Sequence, residues 1–205
     1  MNKGLALVIS GPSGSGKDTL IGHLTDELDG LCYSVSATTR PPRDGEIDAQ
    51  DYFFISREEF EEQIRRGAFL EWAQIYGDYY GTPLEFVNER RERGLDVILK
   101  IDVQGAGQIR RADTEAVFIF IAPPSMEELR RRIQGRGTET AEAIEKRFQT
   151  AVREVQEAVS YDYIVVNDRI PEAVSQLKAV IQAEKSRVQR MWPALEELFR
   201  ESSGL

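Results

Sequence analysis

The chain contains several continuous runs of apolar residues, separated by turns and by helical patterns. Runs of this kind are typical of strands that are buried on both faces of a sheet. The run at 116–122 is followed by Ser125, which caps a helical pattern with Glu128 three residues further on. Strands that alternate with helices predict an α/β fold, in which a parallel sheet is flanked by helices. The predicted core strands are 5–10, 95–101, 116–122 and 161–168.

The middle of the chain does not continue this alternation. Its predicted elements are a strand at 32–36, a loop at 37–46, a strand at 51–55, a helix from Ser56 to about Arg66, a strand at 69–76 and a hydroxyl-rich turn at 77–83. We therefore expect a second domain inserted into the core. The predicted units are a core at 1–33, the insert at 34–86, core at 87–125, a helical lid at 126–150, and core with C-terminal helices at 151–205.

The C-terminal part of the chain is predicted to be helical. An amphipathic pattern extends from about Pro171 to Arg190, and a short terminal helix is predicted at 194–201. Between them lies Met191-Trp192-Pro193, where we expect the helix to be interrupted because proline removes a backbone donor.

The first core strand leads into a glycine-rich turn and then into a helical pattern at 20–28. The turn has the form Gly-x-x-x-x-Gly-Lys, which is typical of loops that bind phosphate. Glycines let successive backbone N–H groups point at an anion, the following helix adds the positive end of its dipole, and lysine supplies a full charge. The candidate nucleotide-binding residues are Gly11, Pro12, Ser13, Gly14, Ser15, Gly16, Lys17, Asp18 and Thr19.

Asp18 departs from this motif, because a Ser or Thr hydroxyl usually occupies the position and reaches magnesium. Its carboxylate could contact the ion through water, or it could cap the start of the helix.

Two arginines, Arg40 and Arg43, lie three residues apart on the proline-containing loop. A pair of guanidinium forks held on a stiff loop suits phosphate oxygens. Asp44, Glu46 and Asp48 follow, so a solvated loop of balanced charge is an equal alternative.

Two carboxylates occupy unusual places in the pattern. Glu71 lies among apolar neighbours in the run 69–76, where it either faces solvent or points into a pocket. Asp102 follows the strand 95–101, at the end where α/β proteins bind ligands, and could reach the magnesium of a nucleotide through water. Lys100, inside the same strand, is unexpected and is predicted to face the cleft or an edge.

Arginines surround a predicted break between two helices. Gly135-Arg136-Gly137-Thr138 forms the break, with Arg132 before it and Arg147 after it. Glycines that flank an arginine are typical of a mobile lid, and lid arginines can close over transferring phosphates. The alternative is an exposed helix face of mixed charge.

Composition excludes several classes of function. The 205 residues carry a net charge of −9, which argues against a general nucleic-acid binder. Cys32 and His23 are the only residues of their types, which excludes an intramolecular disulfide, a cysteine metal cluster and a histidine-based triad. No apolar run approaches ~18 residues and the N-terminus shows no signal peptide, so we expect a cytoplasmic protein without a membrane partner.

Taken together, these motifs resemble those of the guanylate kinases, which transfer the γ-phosphoryl group of ATP to GMP. The phosphate loop alone is shared by many enzymes, whereas Thr-Thr-Arg-x-Pro-Arg at 38–43, Glu-Trp-Ala at 71–73 and Tyr-Tyr-Gly at 79–81 are far more specific. The resemblance covers roughly residues 5 to 185. The matching stretches are 11–17, 34–43, 51–54, 69–73, 79–83, 101–105, 135–138 and 165–168.

The resemblance implies a P-loop NTPase core with an inserted GMP-binding domain and a helical lid, and it implies roles for individual residues. The residues implied to hold the GMP phosphate are Arg40, Arg43, Tyr52 and Tyr80, and those implied to recognise guanine are Ser36, Glu71 and Thr82. Asp102 is implied to lie between GMP and the metal, and Asn167 near adenine. The residues implied to be catalytic are Lys17, Arg40, Arg43, Arg132, Arg136 and Arg147.

The mechanism implied by the resemblance is direct in-line transfer between two nucleotides. Mg²⁺ would enter with ATP, held mainly by phosphates and water and without a direct protein ligand. No residue clearly recognises the sugar 2′-hydroxyl, so dGMP is a further candidate acceptor. No nucleic-acid partner is expected, and the protein is expected to be a monomer or a weak homo-oligomer.

Three positions differ from the family pattern. They are Asp18, Ala49, where relatives commonly have glycine, and Lys100, where they often have an acidic residue. Asp18 favours an alternative, ribose 1,5-bisphosphate kinase, whose loop resembles Gly-Lys-Asp-Ser/Thr, whereas the intact guanine set counts against it. A non-catalytic guanylate-kinase-like domain that binds partner peptides is the other alternative, and the retained Lys17 counts against that.

Overall fold

The computed structural model describes residues 3–75, 77–112, 115–135 and 140–203. The elements in chain order are β1 Ala6–Ser10, α1 Lys17–Glu27, β2 Leu31–Tyr33, β3 Ser36–Thr38, β4 Tyr52–Phe54, α2 Arg57–Arg65, β5 Phe69–Ile75, β6 Asp78–Pro83, α3 Leu84–Glu92, β7 Asp96–Lys100, α4 Val103–Arg111, β8 Ala116–Ala122, α5 Met126–Gln134, α6 Ala141–Gln156, β9 Tyr163–Val166, α7 Ile170–Lys185 and α8 Val188–Ser203. A 3₁₀ turn at Glu157–Ser160 follows α6.

Five strands form a parallel sheet in the order β2-β7-β1-β8-β9, so β1 lies at its centre. At the carboxyl end of β1, Ile9 pairs with Lys100 of β7 on one side and Ser10 pairs with Phe120 of β8 on the other. The chain leaves β1 towards the phosphate loop between these two neighbours. In parallel sheets, ligands bind at the carboxyl edge where neighbouring strands lead to opposite sides.

The side chains of β1 alternate between two hydrophobic cores. Leu7 and Ile9 pack with residues of α1 and α7 on one face, whereas Ala6 and Val8 pack with residues of α3 and α4 on the other. All five residues of the strand are buried, which explains its continuous apolar run. The predicted α/β fold with a parallel sheet between helices is confirmed.

A second sheet is formed by β3 to β6, which come between β2 and β7 of the first sheet along the chain. It has four strands in the order β4-β3-β6-β5, with β3 and β4 parallel and the other pairs antiparallel. The prediction of one strand at 32–36 was wrong, because the chain changes sheets there: β2 pairs with β7 in the first sheet, and β3 belongs to the second. The predicted loop at 37–46 correspondingly begins only after Thr38.

The prediction of a turn at 77–83 was also wrong. Residues 78–83 form β6, which pairs with β3 on one side and with β5 on the other. Glycine and hydroxyl groups suggested a turn, but Tyr79, Tyr80 and Thr82 are residues that favour strands when neighbouring strands are available. The pairing of a central strand therefore outweighed the local turn signal.

The helical C-terminal region breaks earlier than predicted. The helix α7 ends at Lys185, and α8 starts at Val188 and contains Pro193 inside it, so Met191-Trp192-Pro193 does not interrupt the helix. The buried side chains of α7 continue to Glu184, whereas Val188 is 74% exposed. The break therefore falls where the buried face of α7 ends. Within the described part of the chain, no helix has the length and apolar character needed to cross a membrane.

Candidate active site

The predicted phosphate loop joins β1 to α1, in the order strand, loop, helix that the sequence predicted. Gly16 adopts a left-handed conformation with φ 85°, and α1 begins at Lys17. The Lys17 ammonium group turns back over the loop and donates to the carbonyl oxygens of Gly11 at 2.5 Å and Pro12 at 3.2 Å. Burial lowers the pKa of Lys17, although nearby carboxylates, Glu154 first, oppose the shift. The loop therefore holds a cation beside the N-terminus of a helix, an arrangement that binds anions.

Asn167 holds the backbone of the phosphate loop through a hydrogen bond. Its side chain is buried, and its Nδ2 donates to the carbonyl oxygen of Ser15 at 2.8 Å. A Cβ atom at Gly16 would lie 2.3 Å from Nδ2, so this position cannot carry a side chain unless Asn167 moves. The predicted location of Asn167 near adenine stays a prediction, and the contact described here is with the loop backbone.

Two of the predicted lid arginines contact this region. Arg147 of α6 donates to the Ser13 hydroxyl at 2.6 Å. Arg132 of α5 donates to Glu128 at 2.7 Å and to the carbonyl oxygen of Asn167 at 3.1 Å. The third, Arg136, lies outside the described residues.

The second sheet and the carboxyl end of β7 enclose a cavity of about 600 Å³, which we call the acceptor cavity. Five residues that the sequence singled out line it: Ser36, Tyr52, Glu71, Tyr80 and Asp102. Four further polar residues in its lining were not assigned to a site by the sequence: Tyr33, Gln50, Asp51 and Lys100. The predicted binding residues thus converge onto one space from four strands, β3 to β6, and from the N-terminal cap of α4.

Glu71 is only 8% exposed and lies in this lining, so it does not face solvent. The Thr82 hydroxyl, itself buried, donates to Glu71 Oε1 at 2.6 Å. Burial raises the pKa of Glu71 to about 7, and the charge of Asp102 adds to the effect while Thr82 opposes it. Such a carboxylate is poorly solvated and suited to accept hydrogen bonds from a ligand.

Arg40 and Arg43 behave differently from each other. Arg40 forms a two-pronged ion pair with Glu46, both contacts at 2.8 Å, and lies 5.3 Å from the centre of the Tyr52 ring. The hydrogen bonds from Arg40 lower the pKa of Glu46 to about 2. The exposed Arg43 meets the same carboxylate through its backbone N–H, at 2.7 Å. The Arg40 guanidinium thus lies against a residue of the cavity lining, and Glu46 of the same loop neutralises its charge.

Comparison with known proteins identifies the family. The family model described as guanylate kinase matches residues 3–184. This chain belongs to the guanylate kinase family. It is 50% identical over 201 residues to a guanylate kinase of Clostridioides difficile, covering 98% of both chains, and 53% identical over 189 residues to one of Desulfitobacterium hafniense, covering 92% of this chain and 94% of the relative.

Solved structures agree with this assignment. The crystal structure of guanylate kinase from Anaplasma phagocytophilum superposes with a TM-score of 0.72 at 35% identity, over 92% of this chain and 90% of that one. The structure of TT1252 from Thermus thermophilus, at 16% identity and a TM-score of 0.51 over 90% of this chain and all of that one, supports the fold alone. None of these similarities supports ribose 1,5-bisphosphate kinase or the non-catalytic domain.

Relative to the guanylate kinase pattern, Ala49 has a structural consequence. Its φ is 62°, and it is the only non-glycine residue with positive φ in the described part of the chain. The left-handed region favours glycine, which the sequence comparison led us to expect here. Ala49 therefore holds a strained backbone in the loop before β4.

The sequence analysis missed two residues that lie at or beside the cavities of this site. Glu154 lines a cavity of about 410 Å³ over the phosphate loop, here called the donor cavity. It lies seven residues after Arg147 on the same face of α6, a spacing that could have revealed it. Gly105 lies beneath Glu71: a Cβ atom there would be 2.8 Å from Glu71 Oε2. No local pattern predicts that contact, because Glu71 belongs to β5 and Gly105 belongs to α4.

Proposed function

We propose that the chain transfers the γ-phosphoryl group of ATP to GMP, producing ADP and GDP. The observation that carries this proposal is the arrangement of the two cavities. The acceptor cavity contains the buried carboxylate of Glu71, the donor cavity contains the phosphate loop, and both are lined by the same three residues, Lys100, Ile101 and Asp102. A base-binding site and a phosphate-binding site thus adjoin at the carboxyl edge of the sheet.

Guanine recognition is assigned to Glu71. Guanine presents two adjacent donors, N1–H and the 2-amino group, and one carboxylate can accept from both. Adenine lacks this pair and would leave a buried, charged carboxylate without partners, which costs more than the loss of a hydrogen bond. Thr82 orients the carboxylate, and Ser36 in the same lining is proposed to complete the set.

The acceptor phosphate is assigned to the tyrosine-lined part of the acceptor cavity. Tyr52 and Tyr80 line it, and Arg40 lies against Tyr52. Because Glu46 now occupies the Arg40 fork, a phosphate must displace or share this carboxylate to bind it. Arg43, on the exposed side of the loop, is proposed to join Arg40 on the phosphate.

On the donor side, Lys17 and the backbone N–H groups of the loop are proposed to hold the outer phosphates of ATP. Arg147 and Arg132 already contact the loop or the residue that supports it, so they are placed to neutralise charge on the transferring group. Arg136 is assigned the same role from the family resemblance alone.

Mg²⁺ is proposed to accompany ATP. Asp102 accepts from the Gly105 N–H through Oδ1 at 2.8 Å, and it lines both cavities, so its carboxylate is placed to meet a hydrated ion. Among the residues the structure describes, no three His, Cys, Asp or Glu side chains are grouped so that they could hold a metal ion. We propose that the ion is held mainly by phosphates and water. The ion would supply neutralisation of phosphate charge, and Asp18 is its second candidate contact through water.

The reaction needs no protein base, because the attacking phosphate oxygen of GMP is already an anion. The residues are therefore proposed to position the two nucleotides in line and to neutralise the charge between them. The helices α5 and α6 pack against each other through Leu129, Ile133 and Phe148, so a closing lid would carry Arg132 and Arg147 together. Closure would exclude water, which would otherwise hydrolyse ATP.

The remaining assignments follow the family resemblance. The substrates are small molecules, ATP and GMP with dGMP as a further acceptor, and no nucleic-acid or membrane partner is proposed. We propose a cytoplasmic enzyme that is a monomer or a weak homo-oligomer.

The test is ADP formation from Mg-ATP, with GMP, AMP and ribose 1,5-bisphosphate offered in parallel. Strong turnover with GMP alone is expected. Turnover only with the ribose compound would replace the acceptor, and no turnover with any acceptor would indicate a binding domain. A Glu71→Ala variant should lose GMP turnover while ATP binding persists; an unchanged preference for GMP over AMP would refute the role given to Glu71.

A further inference from the structure

Lys100 is the last residue of β7, directly beside Ile9 of β1. The four residues before it in the strand are buried, whereas the Lys100 side chain is 37% exposed at the carboxyl edge of the sheet. It lines the acceptor cavity and the donor cavity. Lys100 therefore lies at the border between the two cavities. The phosphoryl group crosses this border when it passes from one nucleotide to the other.

The ammonium group of Lys100 has contacts on both sides of that border. On the donor side, Nζ lies 2.7 Å from Oδ1 of Asp18, in the first turn of α1. On the acceptor side, Nζ lies 5.5 Å from the centre of the Tyr33 ring, which belongs to the lining of the acceptor cavity. Burial alone would lower the pKa of Lys100, but Asp18 and Tyr33 raise it above the ordinary value. The side chain is thus a cation.

The charges at the border favour a cation at this position. Of the three residues that line both cavities, Lys100 is positive, Ile101 is neutral and Asp102 is negative. Asp18 adds a second carboxylate on the donor side. Two phosphate anions must approach each other here, and without Lys100 they would face carboxylates at this point of the lining.

The ion pair between Lys100 and Asp18 can open at little cost. Asp18 is 71% exposed, and an ion pair at an exposed site contributes little because water solvates both charges. A phosphate dianion offers more charge and more acceptor oxygens than one carboxylate. The flexible lysine stem can carry the ammonium group from Asp18 towards the acceptor cavity.

We propose that Lys100 is a further phosphate-binding residue. When the acceptor nucleoside monophosphate binds, the Lys100 ammonium group moves away from Asp18 and contacts the phosphate of that nucleotide. The inference rests on the proposed function, since it takes the occupant of the acceptor cavity to be GMP. It adds a cation to the acceptor site from the end of β7, in addition to the loop that carries Arg40.

The test compares GMP with guanosine, which lacks the phosphate, in binding measured by calorimetry without ATP. Lys100→Met keeps the length of the side chain and removes the charge, Lys100→Arg keeps the charge, and Lys178→Met is the control because Lys178 pairs with Glu27 on another face. For Lys100→Met we expect GMP binding to weaken by about tenfold or more, the size of one charge-assisted hydrogen bond. Guanosine binding should not change, which also verifies folding, and Lys100→Arg and Lys178→Met should bind GMP within about threefold of the wild type.

A second arm separates phosphate binding from simple neutralisation of Asp18. If Lys100 served only as the counter-ion of Asp18, adding Asp18→Asn to Lys100→Met would restore GMP affinity, and that result would overturn the proposal. Persistent weak binding in the double variant would support it. Loss of Mg-ATP affinity with GMP affinity unchanged would assign the contact to the donor and also overturn it.

The proposed function can fail separately. If the wild type neither binds GMP nor forms GDP, the acceptor assignment is wrong and this inference is wrong with it. If the wild type forms GDP and Lys100→Met binds GMP equally well, the function stands and only the role of Lys100 is refuted.

Discussion

The Thr82 hydroxyl donates to Glu71 Oε1 across 2.6 Å, inside a site where both residues are almost fully buried. This hydrogen bond satisfies only part of the carboxylate, and burial raises the pKa of Glu71 to about 7. The site thus keeps a poorly solvated acceptor ready for a ligand with two donors, at a cost in stability that is largest when Glu71 is ionised.

GMP binding should depend on pH through Glu71. Guanine donors need the ionised carboxylate, and the pKa in the free protein is about 7. The dissociation constant for GMP should be nearly constant above that pH and rise by up to about tenfold per pH unit below it. Calorimetry between pH 5.5 and 8 measures this. A flat profile in the wild type would contradict it. Glu71→Gln should weaken binding and remove this part of the dependence, leaving only that of the GMP phosphate, whose second pKa is about 6.

The same residue should make the free protein less stable as the pH rises. The folded protein retains the proton of Glu71 to higher pH than the unfolded chain, so the penalty is absent below about pH 4.5 and complete above about pH 7. Replacing the carboxylate in Glu71→Gln should raise the free energy of unfolding at pH 8 by up to about 3.5 kcal/mol, at about 1.4 kcal/mol per pKa unit. The gain should vanish near pH 4. Denaturant unfolding at both pH values checks this, with the exposed Glu92→Gln as control; equal changes in both variants would refute it.

Gly105 should be required because of its contact with Glu71. Its Cβ would lie 2.8 Å from Glu71 Oε2, so Gly105→Ala should displace the carboxylate and raise KM for GMP about tenfold or more, as expected for a misplaced charge-assisted contact. Gly107, in the same helix, is the matched control, since its nearest contact would be Arg111 Nη1 at 3.5 Å. Gly107→Ala should stabilise α4 by about 1 kcal/mol and leave KM unchanged. Steady-state kinetics of both variants decides, and equal KM values would contradict the steric argument.

Asn167 should matter for the donor side through the loop backbone. In Asn167→Ala the buried carbonyl oxygen of Ser15 loses its 2.8 Å hydrogen bond, which should cost about 1–3 kcal/mol of stability. The loop should also become less ordered, so ATP binding should weaken while binding of GMP alone stays unchanged. Separate calorimetric titrations with the two nucleotides measure this. Equal loss for both would indicate general unfolding instead.

Ala49 should be a position where glycine stabilises the protein. Its φ of 62° costs an L-residue about 1–2 kcal/mol that glycine avoids, although glycine loses part of this through its greater freedom when unfolded. Ala49→Gly should therefore raise the free energy of unfolding by about 1 kcal/mol. The control is Ala143→Gly within α6, which should lower it by a similar amount. A destabilised Ala49→Gly variant would show that the backbone is not strained there.

The elements that were predicted correctly depend on neighbours in the sequence. The buried run of β1, the glycine turn and the start of α1 are all contained in about fifteen consecutive residues, and the helix cap at Ser56 is formed within one turn. The errors concern pairing between distant segments. The strand predicted at 32–36 divides between two sheets, and β6 becomes a strand because β3 and β5 lie beside it.

The same distinction holds in the site. The phosphate loop and the residues proposed to bind guanine could be named from motifs, and the structure brings most of them to two adjoining cavities. Gly105 beneath Glu71 could not be found in this way, because the reason for the glycine is a side chain 34 positions earlier. The ion pair of Lys100 with Asp18 spans 82 positions and arises only because β7 lies beside β1.

The sequence by itself determined the α/β class, the phosphate loop and the family, because these depend on residue types at short spacings. The tertiary structure decided which charged and polar groups meet: Glu71 with Thr82, Arg40 with Glu46, and Lys100 with Asp18 at the border of the two cavities. Burial and electrostatic interaction depend on distances in space. They set the pKa of Glu71 and the neighbours of Lys100, and neither is encoded in any local pattern.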